Sequence, residues 1–156
     1  MTDINEAEAY SRLTNYCAAG EHCKAEVAEK MQRWGIAYST INTIVDRLVR
    51  EGYIDEERYC RAFVHDKYRI DHWGKQKIAH ALRLKKIAPT FYLPILNEIP
   101  RDEYLQILRD LLASKRKSLR ATTPDERDQM LLRFAYGRGF DIEDIKEIIS
   151  SVNSEQ

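Results

Sequence analysis

The chain has 156 residues, of which 44% are apolar and 32% charged, with only 6 Gly and 4 Pro, and its 25 basic and 25 acidic side chains cancel. This composition is enough for one continuous core and points to helices over turn-rich β structure. It excludes a membrane span, since no run of about 18 apolar residues exists, and the acidic, polar start Met1–Glu8 cannot serve as a signal peptide.

Apolar spacing predicts nine helices in chain order. The first, near Glu6–Ala18, carries Ala9, Leu13, Tyr16 and Cys17 at helical intervals. A second, Lys24–Trp34, stops at Gly35, and a third, Ser39–Arg50, places Ile41, Ile44, Val45 and Leu48 on one face before Gly52. Asp55 is a good N-cap for a fourth helix reaching about Arg69, expected to bury Tyr59, Ala62 and Phe63. The fifth runs from Trp73-Gly74 to Lys86. The sixth opens on Pro89 and reaches about Ile99, with Pro94 inside it as a source of kinking or splitting. The seventh spans Asp102–Lys117. Thr123-Pro124-Asp125-Glu126 is a capping box for the eighth, which ends at Arg138-Gly139, and Asp141 opens the last, Ile142–Val152, before a frayed tail Asn153–Gln156.

These helices repeat. Ile36, Ile41, Ile44 and Leu48 become Ile87, Tyr92, Ile95 and Ile99 on adding 51, and Phe140, Ile145, Ile148 and Val152 on adding a further 53. A fixed period of this size marks a tandem array in which no unit buries its apolar face alone. The expected fold is therefore all-α, an elongated array of three tandem three-helix (helix-turn-helix-like) repeats in one domain, 1–156, with repeats at about 5–53, 54–100 and 101–152. Ile36, Ile87 and Phe140 are expected in equivalent buried positions, as are Ile44, Ile95 and Ile148.

Net charge is zero but unevenly spread. Residues 1–54 hold 6 bases and 8 acids, residues 55–100 hold 9 and 6, and residues 101–156 hold 10 and 11. Lys67, Arg69, Lys75, Lys77, Arg83, Lys85 and Lys86 face only Asp66 and Asp71 within 65–86, and Lys115, Arg116, Lys117 and Arg120 follow without an acid. Such a strip suits a polyanion or an acidic protein groove, and equally an ordinary solvated face. Tyr68 and Trp73 beside it are candidates for stacking on bases.

Tyr53-Ile54-Asp55, Arg58-Tyr59, Phe63-Val64, Gly74, Lys77-Ile78, Leu82 and Ile87 resemble the central signature of the RecX family, and Arg133-Phe134, Arg138-Gly139-Phe140 and Ile145 resemble its C-terminal pattern. The resemblance covers essentially the whole chain. It departs at Cys23, where the family usually has a helix-capping serine, and at Lys86, where a glycine usually precedes Ile87. The resemblance implies a regulator that binds the groove of RecA filaments on single-stranded DNA and inhibits strand exchange, ATP turnover and co-protease activity. It implies weak, sequence-independent DNA binding and action as a cytoplasmic monomer. The residues expected to meet the filament or DNA are Lys67, Arg69, Lys75, Lys77, Arg83, Lys86, Lys115, Arg116 and Lys117.

No cofactor or metal is expected: Cys17, Cys23 and Cys60 are odd in number without CxxC spacing, and the four histidines lack i, i+4 pairing. An enzyme lacks its inventory, with no Gly-rich phosphate loop and no nucleophile beside a base; Asp141, Glu143, Asp144 and Glu147 fit a helix N-terminus. Two alternatives stay open. One is a sequence-specific helix-turn-helix protein, although Asp141-Ile142-Glu143-Asp144 repels phosphate and Pro89-Thr90-Phe91-Tyr92 lacks base-reading groups. The other is a generic helical scaffold.

Overall fold

The computed structural model describes residues 4–154; residues 1–3 of the acidic start and residues 155–156 of the tail lie outside the described part. Among the described residues nine α-helices follow one another: α1 Glu6–Ala19, α2 Lys24–Arg33, α3 Tyr38–Arg50, α4 Glu56–Arg69, α5 Lys75–Leu84, α6 Pro89–Asn97, α7 Arg101–Ser118, α8 Pro124–Gly137 and α9 Ile142–Ser154. No strand occurs among the described residues. The chain is all-α and made of tandem three-helix units, as its periodicity predicts.

Local chemistry explains where helices start. The Asn5 side chain accepts from the Glu8 amide at 2.8 Å, Asp55 from the Arg58 amide at 3.0 Å, and Thr123 from the Glu126 amide at 3.1 Å. Each cap satisfies one of the orphan donors of a first turn. The carboxylate of Glu126 reaches back to Thr122, one residue earlier than a standard capping box. At Cys23 no hydroxyl is present to cap α2, yet Glu26 accepts from the Cys23 amide at 3.1 Å, so the reciprocal half of the box survives. Pro94 does not split α6, which remains a single element.

The repeat is clearest in the turn between the second and third helix of each unit. Gly35, Lys86 and Gly139 all take left-handed backbone, at φ 77°, 60° and 97°. The next residue's amide bonds back five residues each time: Ile36 to Met31, Ile87 to Leu82 and Phe140 to Ala135, at 3.1–3.2 Å. This Schellman-type closure turns each helix pair and aims the following apolar residue inward. Lys86 keeps the glycine conformation with a full side chain, at the steric cost that entails.

Two compact units organise the core: residues 1–62 with 82–92, and residues 63–81 with 93–156. In the first, α1, α2 and α3 pack Ala9, Leu13, Val27, Met31, Ile41, Ile44, Leu48 and Ile54 into one cluster. In the second, α7, α8 and α9 pack mutually around Leu108, Leu112, Leu131, Ala135, Phe140, Ile145 and Ile148. Ile44, Ile95 and Ile148 are all buried, as are Ile87 and Phe140. Ile36 is only half-buried. Its turn is uncovered, with nothing within 4 Å of a Cβ added at Gly35.

Two expected core positions of the fourth helix are corrected. Ala62 is exposed and Phe63 half-buried, because α4 turns Tyr59, Cys60, Val64 and Tyr68 inward; Ala62 lies roughly 160° around the helix from Val64. Phe134 is likewise half-buried. On α5, Ala79 is buried and Ala81 only half-buried.

Candidate interaction surface

Six basic side chains of the second compact unit, Lys67, Arg69, Lys75, Lys77, Lys115 and Arg138, lie over aromatic rings. Trp73, half-buried just before α5, has Lys67 Nζ at 4.7 Å and Lys77 Nζ at 4.4 Å from its ring centroid. Lys75 Nζ lies 4.9 Å from the ring of Tyr104, and its pKa is lowered, by burial first and by the neighbouring Arg101 second. Lys115 Nζ at 4.8 Å and the Arg138 guanidinium at 5.2 Å share the Phe134 ring, which explains why that ring stays half outside the core. Ring quadrupoles hold cations at such distances without neutralising them.

The start of α5 is built by a different part of the chain. The Gly74 amide donates to the Arg138 carbonyl at 2.7 Å, the Gln76 amide to the Gly139 carbonyl at 3.0 Å, and the Lys75 amide to the Tyr104 hydroxyl at 2.9 Å. The backbones meet directly. A Cβ on Gly74 would lie 2.2 Å from the Gly139 carbonyl carbon, and one on Gly139 would lie 2.4 Å from Lys77 Cβ. Only paired glycines allow that approach. With its first amides already used, α5 has no acid in its first turn and carries Lys75 and Lys77 there instead. Cations at that end oppose the helix dipole.

The remaining predicted residues divide. Arg69 is paired with Glu103 at 2.9 Å and donates to the Tyr68 hydroxyl at 3.0 Å; Lys67 is paired with Asp71 at 3.1 Å. Tyr68 is 5% exposed and offers no platform for a base, a correction to its sequence assignment. Arg116 is half-buried and Lys117 exposed near the end of α7. Arg83 and Lys86 are exposed around the α5–α6 turn, in the first compact unit, joined only through the bond from the Lys86 amide to the Arg83 carbonyl. Of the nine cations, seven thus belong to the second compact unit and two, Arg83 and Lys86, to the first.

Two participants escaped the sequence. Arg138, which stacks on Phe134 and donates to the Asp71 carbonyl at 3.4 Å, was legible only as part of a turn motif, though its i, i+4 spacing from Phe134 was a signal. Lys85 turns inward to pair with Glu26 at 3.2 Å. The acid group at the start of α9 is structural in part, since Asp144 is gripped by Arg101 at 2.5 and 3.1 Å. Among the described residues no helix is long and apolar enough to cross a membrane.

Three family models match in tandem: RecX, first three-helix domain, over residues 9–48; the second over 55–91; and the third over 102–149. Similar proteins named "Regulatory protein RecX" include one from Prosthecochloris aestuarii, 25% identical over 97% of this chain and 98% of its own, and one from Chlorobium limicola, 29% identical over 96% and 92%. Among solved structures, a RecX regulatory protein aligns with TM-score 0.86 at 20% identity, covering 94% of this chain and 73% of its own. RecX from Lactobacillus salivarius aligns with TM-score 0.81 at 18% identity, covering 95% and 96%. With three matched domains in order across three turns of one geometry, the chain belongs to the RecX family of regulatory proteins.

Proposed function

We propose that this protein is a non-enzymatic regulator of a RecA recombinase. As a cytoplasmic monomer it binds the groove of the RecA filament on single-stranded DNA and restrains strand exchange, ATP turnover and co-protease activity. It touches free DNA weakly and without sequence preference. The carrying observation is the first turn of α5. Lys75 and Lys77 stand where the helix dipole disfavours them, the first turn of α5 holds no acid of its own, and the amides that might have held an anion donate instead to the Arg138 and Gly139 carbonyls and the Tyr104 hydroxyl. Within the fold they rest on rings, Lys75 over Tyr104 and Lys77 over Trp73, which hold a cation in place without neutralising it and leave its charge for a partner outside the fold.

The test is RecA ATP turnover on single-stranded DNA against protein concentration. Lys75→Glu with Lys77→Glu is expected to weaken inhibition about ten-fold or more, as loss of a central interface group does. Lys24→Glu, an exposed change in the first repeat, is expected to alter it less than two-fold, since such changes move stability by only about 0.5 kcal/mol. Equal effects would place the filament contact elsewhere. A preference among duplex sequences exceeding about ten-fold would favour a helix-turn-helix reader instead.

A further inference from the structure

The α5–α6 turn differs from the Trp73 cluster in kind. Leu84 is 70% exposed and Phe91 40% exposed, and the intervening Ala88, Pro89 and Thr90 are uncharged and exposed too. Arg83 and Lys86 flank them, and neither has a carboxylate partner among the described residues. Lys86 is also held at φ 60°, a conformation glycine adopts freely and lysine at a cost. The turn needs a left-handed residue at this position but not a lysine, so the cation kept there at a steric cost, beside exposed apolar side chains, is not explained by the turn itself.

We infer that this turn is a docking surface for a protein segment: an acidic stretch of the RecA filament whose apolar side chain seats against Leu84 and Phe91 while its carboxylates meet Arg83 and Lys86. Charge complementarity selects the occupant. Two free cations demand anions, and the exposed aliphatic side chain between them gives nothing to a phosphate backbone but desolvates well against an apolar partner. Nucleic acid, held by cations and flat stacking rings, suits the Trp73 cluster better. The two patches thus divide the work, protein at the α5–α6 turn and polyanion at the α5 start. This inference rests on the regulator function proposed above.

The experiment measures binding of the full chain to two probes: RecA filament assembled on oligo-dT, and the same oligo-dT free. Leu84→Ser with Phe91→Ser is expected to weaken filament binding about ten-fold or more while leaving free oligo-dT affinity unchanged. Arg83→Glu with Lys86→Glu is expected to do the same. Lys86→Gly separates this role from a structural one, because relief of the left-handed lysine raises the unfolding midpoint while removal of the charge lowers filament affinity. Unchanged filament binding by all three variants overturns the inference. A parallel loss on free oligo-dT also overturns it and makes the turn a phosphate contact. If the wild-type chain does not bind the filament at all, the regulator function falls, and this inference with it.

Discussion

Two glycines with the same backbone sign carry different burdens. Gly35 and Gly139 both have positive φ, at 77° and 97°, but a Cβ at Gly35 meets open space while one at Gly139 meets Lys77 Cβ at 2.4 Å and the Lys77 amide nitrogen at 2.5 Å. Gly35→Ala is therefore expected to cost only the left-handed penalty, about 1–2 kcal/mol. Gly139→Ala adds displacement of backbone that cannot yield easily and should cost at least about 2 kcal/mol more than Gly35→Ala. Urea midpoints decide; equal losses would mean the α5 start is free to move away. Glu26 supplies a pH signal at the same scale. Burial pushes its carboxyl up, but the Cys23 amide, the Lys85 ammonium and His22 together outweigh that and hold it below the ordinary range. The folded chain thus binds this proton less readily than the unfolded chain does. The contribution is complete above the ordinary glutamate pKa and drains away as pH falls through the lowered one. Stability of the wild type should accordingly fall more steeply than that of Glu26→Gln as pH drops below the ordinary glutamate range; identical acid profiles would show that Glu26 is uncoupled from folding.

The start of α5 is the element in which stability and function pull apart. Gln76 is exposed, sits in the first turn and is flanked by Lys75 and Lys77. Gln76→Glu places a carboxylate where the dipole wants one and should raise stability by about 0.3–1 kcal/mol. The same charge partly cancels the cations and should weaken RecA inhibition. Thermal midpoint and ATP turnover on the same sample test both halves; a lowered midpoint would show that the α5 start does not lack negative charge. Elements of this kind mark how far the sequence could be read. Helix ends were legible because caps and turn residues act over three or four positions, as Asp55, Thr123 and Gly139 do. The three repeats were legible because the period is carried by apolar identity. The Gly74–Gly139 approach was not, since it joins residues 65 positions apart through backbone alone and leaves no trace in hydrophobic pattern. Nor was the pairing of Arg69 with Glu103, because helix packing brings together residues 34 positions apart; Lys67 with Asp71, an i, i+4 pair, was open to a reading of the sequence. Ala62 and Phe63 differ for a smaller reason: a shift of one or two residues in helical phase exchanges them for Val64.

At the scale of the molecule, charge balance sets how free DNA is held. With 25 bases against 25 acids the chain has no net attraction for a polyanion, so binding depends on local clusters and should be weak and steeply salt-sensitive. Each lysine that meets a single-stranded phosphate releases counterions worth about 0.7 units of log–log salt slope. Lys75 and Lys77, unneutralised at the α5 start, should each contribute close to that, and Lys67, already paired with Asp71, less. Replacing Lys75 and Lys77 by Gln should flatten the oligo-dT salt slope by about 1.4 units, whereas the same change at Arg83 and Lys86 should leave it unaltered if those two meet protein. Fluorescence anisotropy of labelled oligo-dT across a salt series separates the cases, with circular dichroism confirming that helical content is kept. A flattened slope from the Arg83 and Lys86 pair but not from Lys75 and Lys77 would reverse the assignment, placing DNA at the α5–α6 turn and leaving the Trp73 cluster as an ordinary solvated face.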